Sequence, residues 1–210
     1  MKKITFILAA LIMTLDANAQ NLKFGVKAGL NVATMSAASY SGEKEKTPGM
    51  TIGFHVGGYV NYAISDIFAI QGELLYSGQG SNKKTAQSGE TKIRMGFINV
   101  PLLAEFKFIP TVPEFSVFGG VQVGFNISRK VTWSDGSSAS GSKLDDMLKP
   151  EKINTLDVAA VTGVQYMFME HLTVGARYNM GLLNGSSGSG EYKVSGNRHS
   201  VFQVCVGWTF

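Results

Sequence analysis

The side chains whose types could do chemistry are few. They are His55, His171 and His199, the lone cysteine Cys205, and the charged residues Lys27, Glu73, Glu105, Lys107 and Arg177. His199 is followed by Ser200, the residue types a lipid hydrolase would use. A serine nucleophile needs a base within hydrogen-bond reach and a third group to orient that base. Neighbouring residues of a strand point to opposite faces, so His199 and Ser200 should not meet. His55 has no obvious serine partner, and His171 falls in a tight turn and reads as solvated. No pair of histidines or cysteines has metal-ligand spacing, and no Walker-type glycine loop is present. The Gly/Ser run at 185–190 reads as a flexible loop tip. A phosphate cradle would need a helix after it, and a strand follows instead. Residues 134–142 read as another exposed loop, and 144–148 as one helical turn upon it. Cys205 cannot form an internal disulfide and reads as a small packed side chain. The expectation is therefore no enzyme, no metal site and no cofactor.

The elements that must position the five charges are strands. Leu22, Phe24, Val26, Ala28, Leu30 and Val32 alternate with Lys23, Gly25, Lys27, Gly29 and Asn31. With a period of two, such a segment has one greasy and one polar face. The pattern recurs seven more times, around Met50–Tyr62, Phe68–Tyr76, Ile98–Phe108, Phe115–Ile127, Leu156–Phe168, Leu172–Met180 and Phe202–Phe210. On this parity Lys27, Glu73 and Arg177 share the polar face. Each lies about five or six residues from the same end of its strand, so at ~3.3 Å per residue they reach similar heights. Glu105 and Lys107 lie lower. In a closed interior such charges must pair, because unpaired buried charge is very costly. The structural reading is a polar plug in which Glu73 pairs with Lys27, Arg177 or both. A proton or ion path is the functional alternative, although an eight-stranded barrel is normally too narrow for a continuous channel.

Composition decides what surrounds those strands. The chain is 44% hydrophobic but only 16% charged, against about 25% charged in soluble domains. No run approaches the ~18 apolar residues of a spanning helix. Eight segments near the 9–11 residues of a tilted transmembrane strand point to an all-β fold. That fold is an eight-stranded antiparallel transmembrane β-barrel, an up-and-down meander, since a sheet in lipid must close. A lipocalin-like barrel or a sandwich has the same parity with its faces inverted. The loops favour the membrane. Those at 35–49, 81–91, 130–154 and 183–198 are long, and those at 63–67, 109–114 and 169–171 are short. Outer-membrane barrels have short periplasmic turns and long extracellular loops. Phe24, Tyr62, Phe68, Phe108, Phe115, Phe168, Trp208 and Phe210 cluster at the short-turn end as an interfacial girdle. Pro101 cannot donate to a ladder, so a bulge or a missing bond is expected there.

The N-terminus reads as a secretory signal, with Lys2 and Lys3, an apolar stretch to Leu15, and cleavage after Ala17-Asn18-Ala19, before Gln20. Residues 1–19 are thus a cleaved signal peptide and 20–210 an outer-membrane β-barrel domain. Loss of Lys2, Lys3 and Asp16 lowers the formal net charge from +4 to +3. That excess is mild and scattered, so no nucleic acid is expected as a partner.

Phe24-Gly25-Val26-Lys27-Ala28-Gly29-Leu30-Asn31, Gly72-Glu73-Leu74-Leu75-Tyr76-Ser77, Asn99-Val100-Pro101-Leu102-Leu103 and Gly175-Ala176-Arg177-Tyr178 follow one another in order. In these motifs the chain resembles the PorT-like small outer-membrane β-barrel family, which is also similar to the barrel domain of OmpA. The resemblance implies the outer membrane of a Gram-negative bacterium and contact with outer-membrane lipid. It also implies recognition of Phe202, Val204, Val206, Trp208 and Phe210 by the barrel-assembly machinery during insertion. One relative is linked to protein secretion and gliding. The chain stops at Phe210, so no peptidoglycan-binding domain and no cell-wall tether are expected. The leading expectation is a structural or interaction role, through external loops that contact an extracellular or envelope protein partner. An accessory factor of a secretion or envelope-assembly machine, a lipid-modifying enzyme and a small-solute pore are the alternatives.

Overall fold

Alternation becomes a cylinder in the computed structural model. It describes residues 21–35, 50–85, 89–107, 114–132, 136–140, 152–153, 155–183, 186–187 and 199–210. The expected signal peptide with its Ala17, Ala19 and Gln20 cleavage site, the girdle residue Phe108, the helical turn at 144–148 and most of the 185–190 loop lie outside these residues. Eight long strands form the wall: β1 (Leu22–Met35), β2 (Thr51–Ala63), β3 (Phe68–Thr85), β4 (Gly89–Phe106), β5 (Phe115–Thr132), β6 (Leu156–Phe168), β7 (Leu172–Gly181) and β8 (His199–Thr209). Each pairs antiparallel with the next, and β8 returns to β1 from Gly25↔Thr209 to Met35↔His199. The sheet is a closed eight-stranded barrel, which leaves the wall no edge with unpaired backbone groups.

Greasy residues face out. Leu30, Ile52, Leu74, Val100, Leu102, Val121, Val206 and Trp208 are exposed, while Lys27, Asn31, His55, Gln71, Glu73 and Gln203 are buried inside. At the short-turn end Phe24, Tyr62, Phe168, Trp208 and Phe210 face outward. Phe68 packs on Phe106 with ring centroids 4.8 Å apart. His171 stacks on Trp208 at 5.4 Å and bonds the Thr209 carbonyl at 3.0 Å, so this turn residue belongs to the girdle. The turn it closes has Met169 and Glu170 at φ 50° and 63°, the backbone hand that matches strand twist in tight hairpins.

Two expectations need correction. Residues 81–91 are not a long loop. Pairs from Ser81↔Ile93 to Thr85↔Gly89 continue the β3–β4 ladder. Above the lipid neither face must be apolar, so the period-two signal fades while backbone pairing continues. Residues 130–154 are likewise partly ladder: β5 extends to Thr132, and Ser138–Ser140 folds back upon Lys130–Thr132. Lys152–Ile153 pairs with Ser186–Ser187, tying two outer segments together. Beyond Asn126 the wall also carries a bulge, and Ser128 is exposed. The β4–β5 register shifts between Gly96 and Phe97, which pair with Ser128 and Asn126. Ile127 is the extra residue, and beyond it the parity of β5 reverses.

Pro101 behaves in a mixed way. Toward β5 it sits in register opposite Gln122, with no bulge. Toward β3 the ladder is interrupted between Gly72↔Leu102 and Leu75↔Asn99, while its register is unchanged. The missing N–H therefore costs local pairing and leaves the alignment intact.

Candidate functional site

The lumen holds the buried polar and charged groups, and strand order decides which can meet. Glu73 on β3 and Arg177 on β7 lie four strands apart either way around the wall, so they are diametrically opposed. Their side chains span the interior: Arg177 Nη1 donates to Glu73 Oε2 at 2.7 Å. Lys27 on β1, midway between them, donates from Nζ to Glu73 Oε1 at 2.5 Å. Gln71 Nε2 adds a further bond to Oε1 at 2.7 Å. The carboxylate is thus gripped on both oxygens, and all three charged residues are almost wholly buried. Two cations on one anion leave a positive excess. Arg177 Nε also donates to Gln203 Oε1 at 2.5 Å.

From Gln203 the network climbs toward the outer mouth. Gln203 Nε2 donates to Asn31 Oδ1 at 2.5 Å, and His55 Nδ1 lies 2.7 Å from the same oxygen. Asn31 Nδ2 reaches Ser77 Oγ and the carbonyls of Phe54 and Gly78. Asn179 Nδ2 joins at Gln203. Below the charges, Tyr59 bonds Thr209 Oγ1 at 2.6 Å, and the Lys27 ammonium lies 5.0 Å from the Tyr59 ring centre. Gly25 makes this possible, since any Cβ there would strike the Tyr59 ring.

Of the five expected lumen residues, three converge. Glu105 stands apart, bonded by Asn61 Nδ2 at 2.7 Å, and Lys107 is half-buried at the short-turn rim. Both line a cavity of about 440 Å³ beneath the charges, with Tyr59, Gln71 and Thr173. The neutral members Asn31, His55, Gln71 and Gln203 were legible only as polar residues at inward parity. Cys205 is buried at that parity. The five C-terminal residues from Phe202 to Phe210 all face outward. His199 pairs through its backbone with Met35 and Ser200 with Thr34, on β1. Among the described residues no three His, Cys, Asp or Glu gather as metal ligands.

Against the polar network lies an apolar one. Leu103, Phe118 and Val161 pack together on β4, β5 and β6, and Leu75, Phe97, Met95 and Ala159 are also buried. Gly163 gives Phe118 its room: a Cβ there would lie 2.5 Å from the ring tip and 2.6 Å from the Ala176 carbonyl oxygen.

The sequence matches the model of a protein family, the outer membrane protein beta-barrel domain, over residues 18–186. No curated protein matches it. Among solved structures, it is similar to neisserial surface protein A, NspA, at 18% identity with a TM-score of 0.54, over 89% of this chain and 97% of that one. It is also similar to Ail, the attachment invasion locus protein of Yersinia pestis, in complex with the heparin analogue sucrose octasulfate. That likeness is 14% identity and a TM-score of 0.50, over 90% of this chain and 99% of that one. At these identities the likeness is one of fold.

Proposed function

The chain belongs to the outer membrane protein beta-barrel domain family, residing in the Gram-negative outer membrane, and from this premise we propose that it is a plugged, non-conducting barrel. Its work is done at the outer face, where the tall β3–β5 wall and the outer loops are presented to an envelope or extracellular protein. The observation that carries this reading is the Glu73–Arg177 ion pair across the full lumen, braced by Lys27. A barrel of this size can be filled by its own side chains, and a cross-diameter ion pair fills it where a permeant solute would pass. The role of Lys27, Glu73 and Arg177 is then structural, with Glu105 and Lys107 solvating the vestibule below. Residues 1–19 serve as the export signal for a mature barrel of 20–210. Phe202, Val204, Val206, Trp208 and Phe210 form the outward stripe read during assembly.

Planar-bilayer recording tests the reading. Wild-type protein should give no unitary steps, and regular steps in wild type would overturn it. Surface cross-linking on whole cells should trap a partner through the outer loops. A partner trapped instead at the short-turn end would favour the accessory role implied by the PorT-like resemblance.

A further inference from the structure

The outward face of β4 changes character abruptly. Phe106, Ala104, Leu102, Val100 and Ile98 are apolar; then come Gly96, Arg94 and Lys92. At ~3.3 Å per residue and a ~40° tilt, Arg94 stands about 30 Å above Phe106, just past a ~25 Å apolar band. Its partner across the β4–β5 ladder is Lys130. Both are exposed, and neither makes an ion pair among the described residues. Like charges directly opposite on one face of a sheet repel and destabilise the pair. The repulsion is built in by the Ile127 bulge: without that extra residue, Lys130 would point into the lumen. Lys92, exposed one step higher on the same face, faces Thr132. Just below lies Gly96, where an added Cβ would sit 2.6 Å from Ser128 Oγ and 3.1 Å from the Tyr76 hydroxyl. Ser128 and Tyr76 thus fill the space beside Gly96 and hold two hydroxyls just below the two cations, on the lipid-facing wall at headgroup height.

We propose that this surface patch binds the phosphate of an outer-leaflet lipid headgroup, with Arg94 and Lys130 as its cationic clamp. A phosphate turns the cross-strand repulsion into two charge-assisted contacts, and Arg matches its oxygens with a planar fork. Ser128 and Tyr76 supply hydroxyl donors below. The long-loop end faces outward, so the occupant is a lipid of the outer leaflet.

The test uses the full chain in non-ionic micelles and fluorescently labelled lipid A carrying its two phosphates, read by anisotropy. Wild-type protein should bind it, and added salt should weaken binding because the site is exposed. At about fivefold per cation near a charged headgroup, R94Q/K130Q should weaken it by roughly 25-fold. R94E should abolish binding while leaving the folded gel band as heat-resistant as wild type or more so, because Glu opposite Lys130 relieves the repulsion. That pairing of lost binding with retained fold separates a ligand site from a structural one. K23Q, which removes a cation at the opposite rim, should bind as wild type does. Unchanged affinity in R94Q/K130Q, equal binding of dephosphorylated lipid A, or an equal loss in K23Q would each overturn the proposal.

Discussion

Two neighbourhoods fill the same lumen by different physics. Around β1, β2, β3, β7 and β8 the filling is polar: Glu73 is held by Lys27 and Arg177, and Gln203, Asn31 and His55 carry the network upward. Around β4, β5 and β6 it is largely apolar, centred on Leu103, Phe118 and Val161. The polar side holds only while every member keeps its partners, since each buried charge or amide was taken out of water. The apolar side loses contacts in proportion to what is cut away. An ion pair reaches across a diameter that close packing from one wall would struggle to span. Dispersion contacts need no partner of a fixed type.

The largest effect should come from breaking the polar side at its hub. Glu73→Ala leaves Lys27 and Arg177 buried against each other, and losing one partner of a buried pair costs about 3–5 kcal/mol. The temperature at which the unboiled gel band converts to the boiled form should fall sharply; an unchanged temperature would show the charges solvated. Leu103→Ala cuts the apolar side and should cost about 2–5 kcal/mol. The lower part of that range is expected, because Phe118 can move into the space, and a urea midpoint in micelles reads it. Gly163→Ala overfills the same side against Phe118 and the Ala176 carbonyl, at about 1–3 kcal/mol. Phe118→Leu in the same chain should recover part of the loss, and no recovery would place the strain in the backbone. The smallest net change should come from the most drastic replacement. Lys27→Met, Glu73→Leu and Arg177→Met together remove all three charges, and such exchanges are often neutral or stabilising. A triple variant as weak as Glu73→Ala would mean that the charges stabilise the fold outright.

Much of this was legible because lipid enforces parity. Outward residues must be apolar across the membrane, so Leu74, Leu102 and Val121 identify their own faces, and Lys27, Glu73 and Arg177 fall inside by elimination. The apolar side of the lumen was harder to see, because an inward Leu or Phe obeys no such rule. Its trace is the doublets Leu74-Leu75 and Leu102-Leu103, in which one residue faces lipid and its neighbour faces in. Beyond the membrane the signal goes quiet, which is why the ladder through 81–91 read as a loop. The Ile127 bulge left no mark, since an apolar residue between Asn126 and Ser128 continues the alternation in the sequence while the parity behind it shifts. Membership of the polar network was legible by parity. Its bonding was not, because donor and acceptor choice depends on distances across a lumen that no strand alone determines.

The contacts that β8 makes with the first strands have a kinetic consequence. Asn31 bonds Gln203 across 172 residues of sequence, and Tyr59 bonds Thr209 across 150. Such contacts cannot form until the last strand has arrived, whereas Leu103, Phe118 and Val161 sit on strands consecutive in the chain. Late, non-local contacts act on the unfolding limb and early ones on the folding limb. The apolar cluster should therefore belong to the nucleus and the polar network to the latch. In refolding into micelles, Leu103→Ala should slow acquisition of the folded band. Gln203→Ala should leave that rate nearly alone and hasten opening, and the reverse pattern would place closure of the cylinder before the filling of its interior.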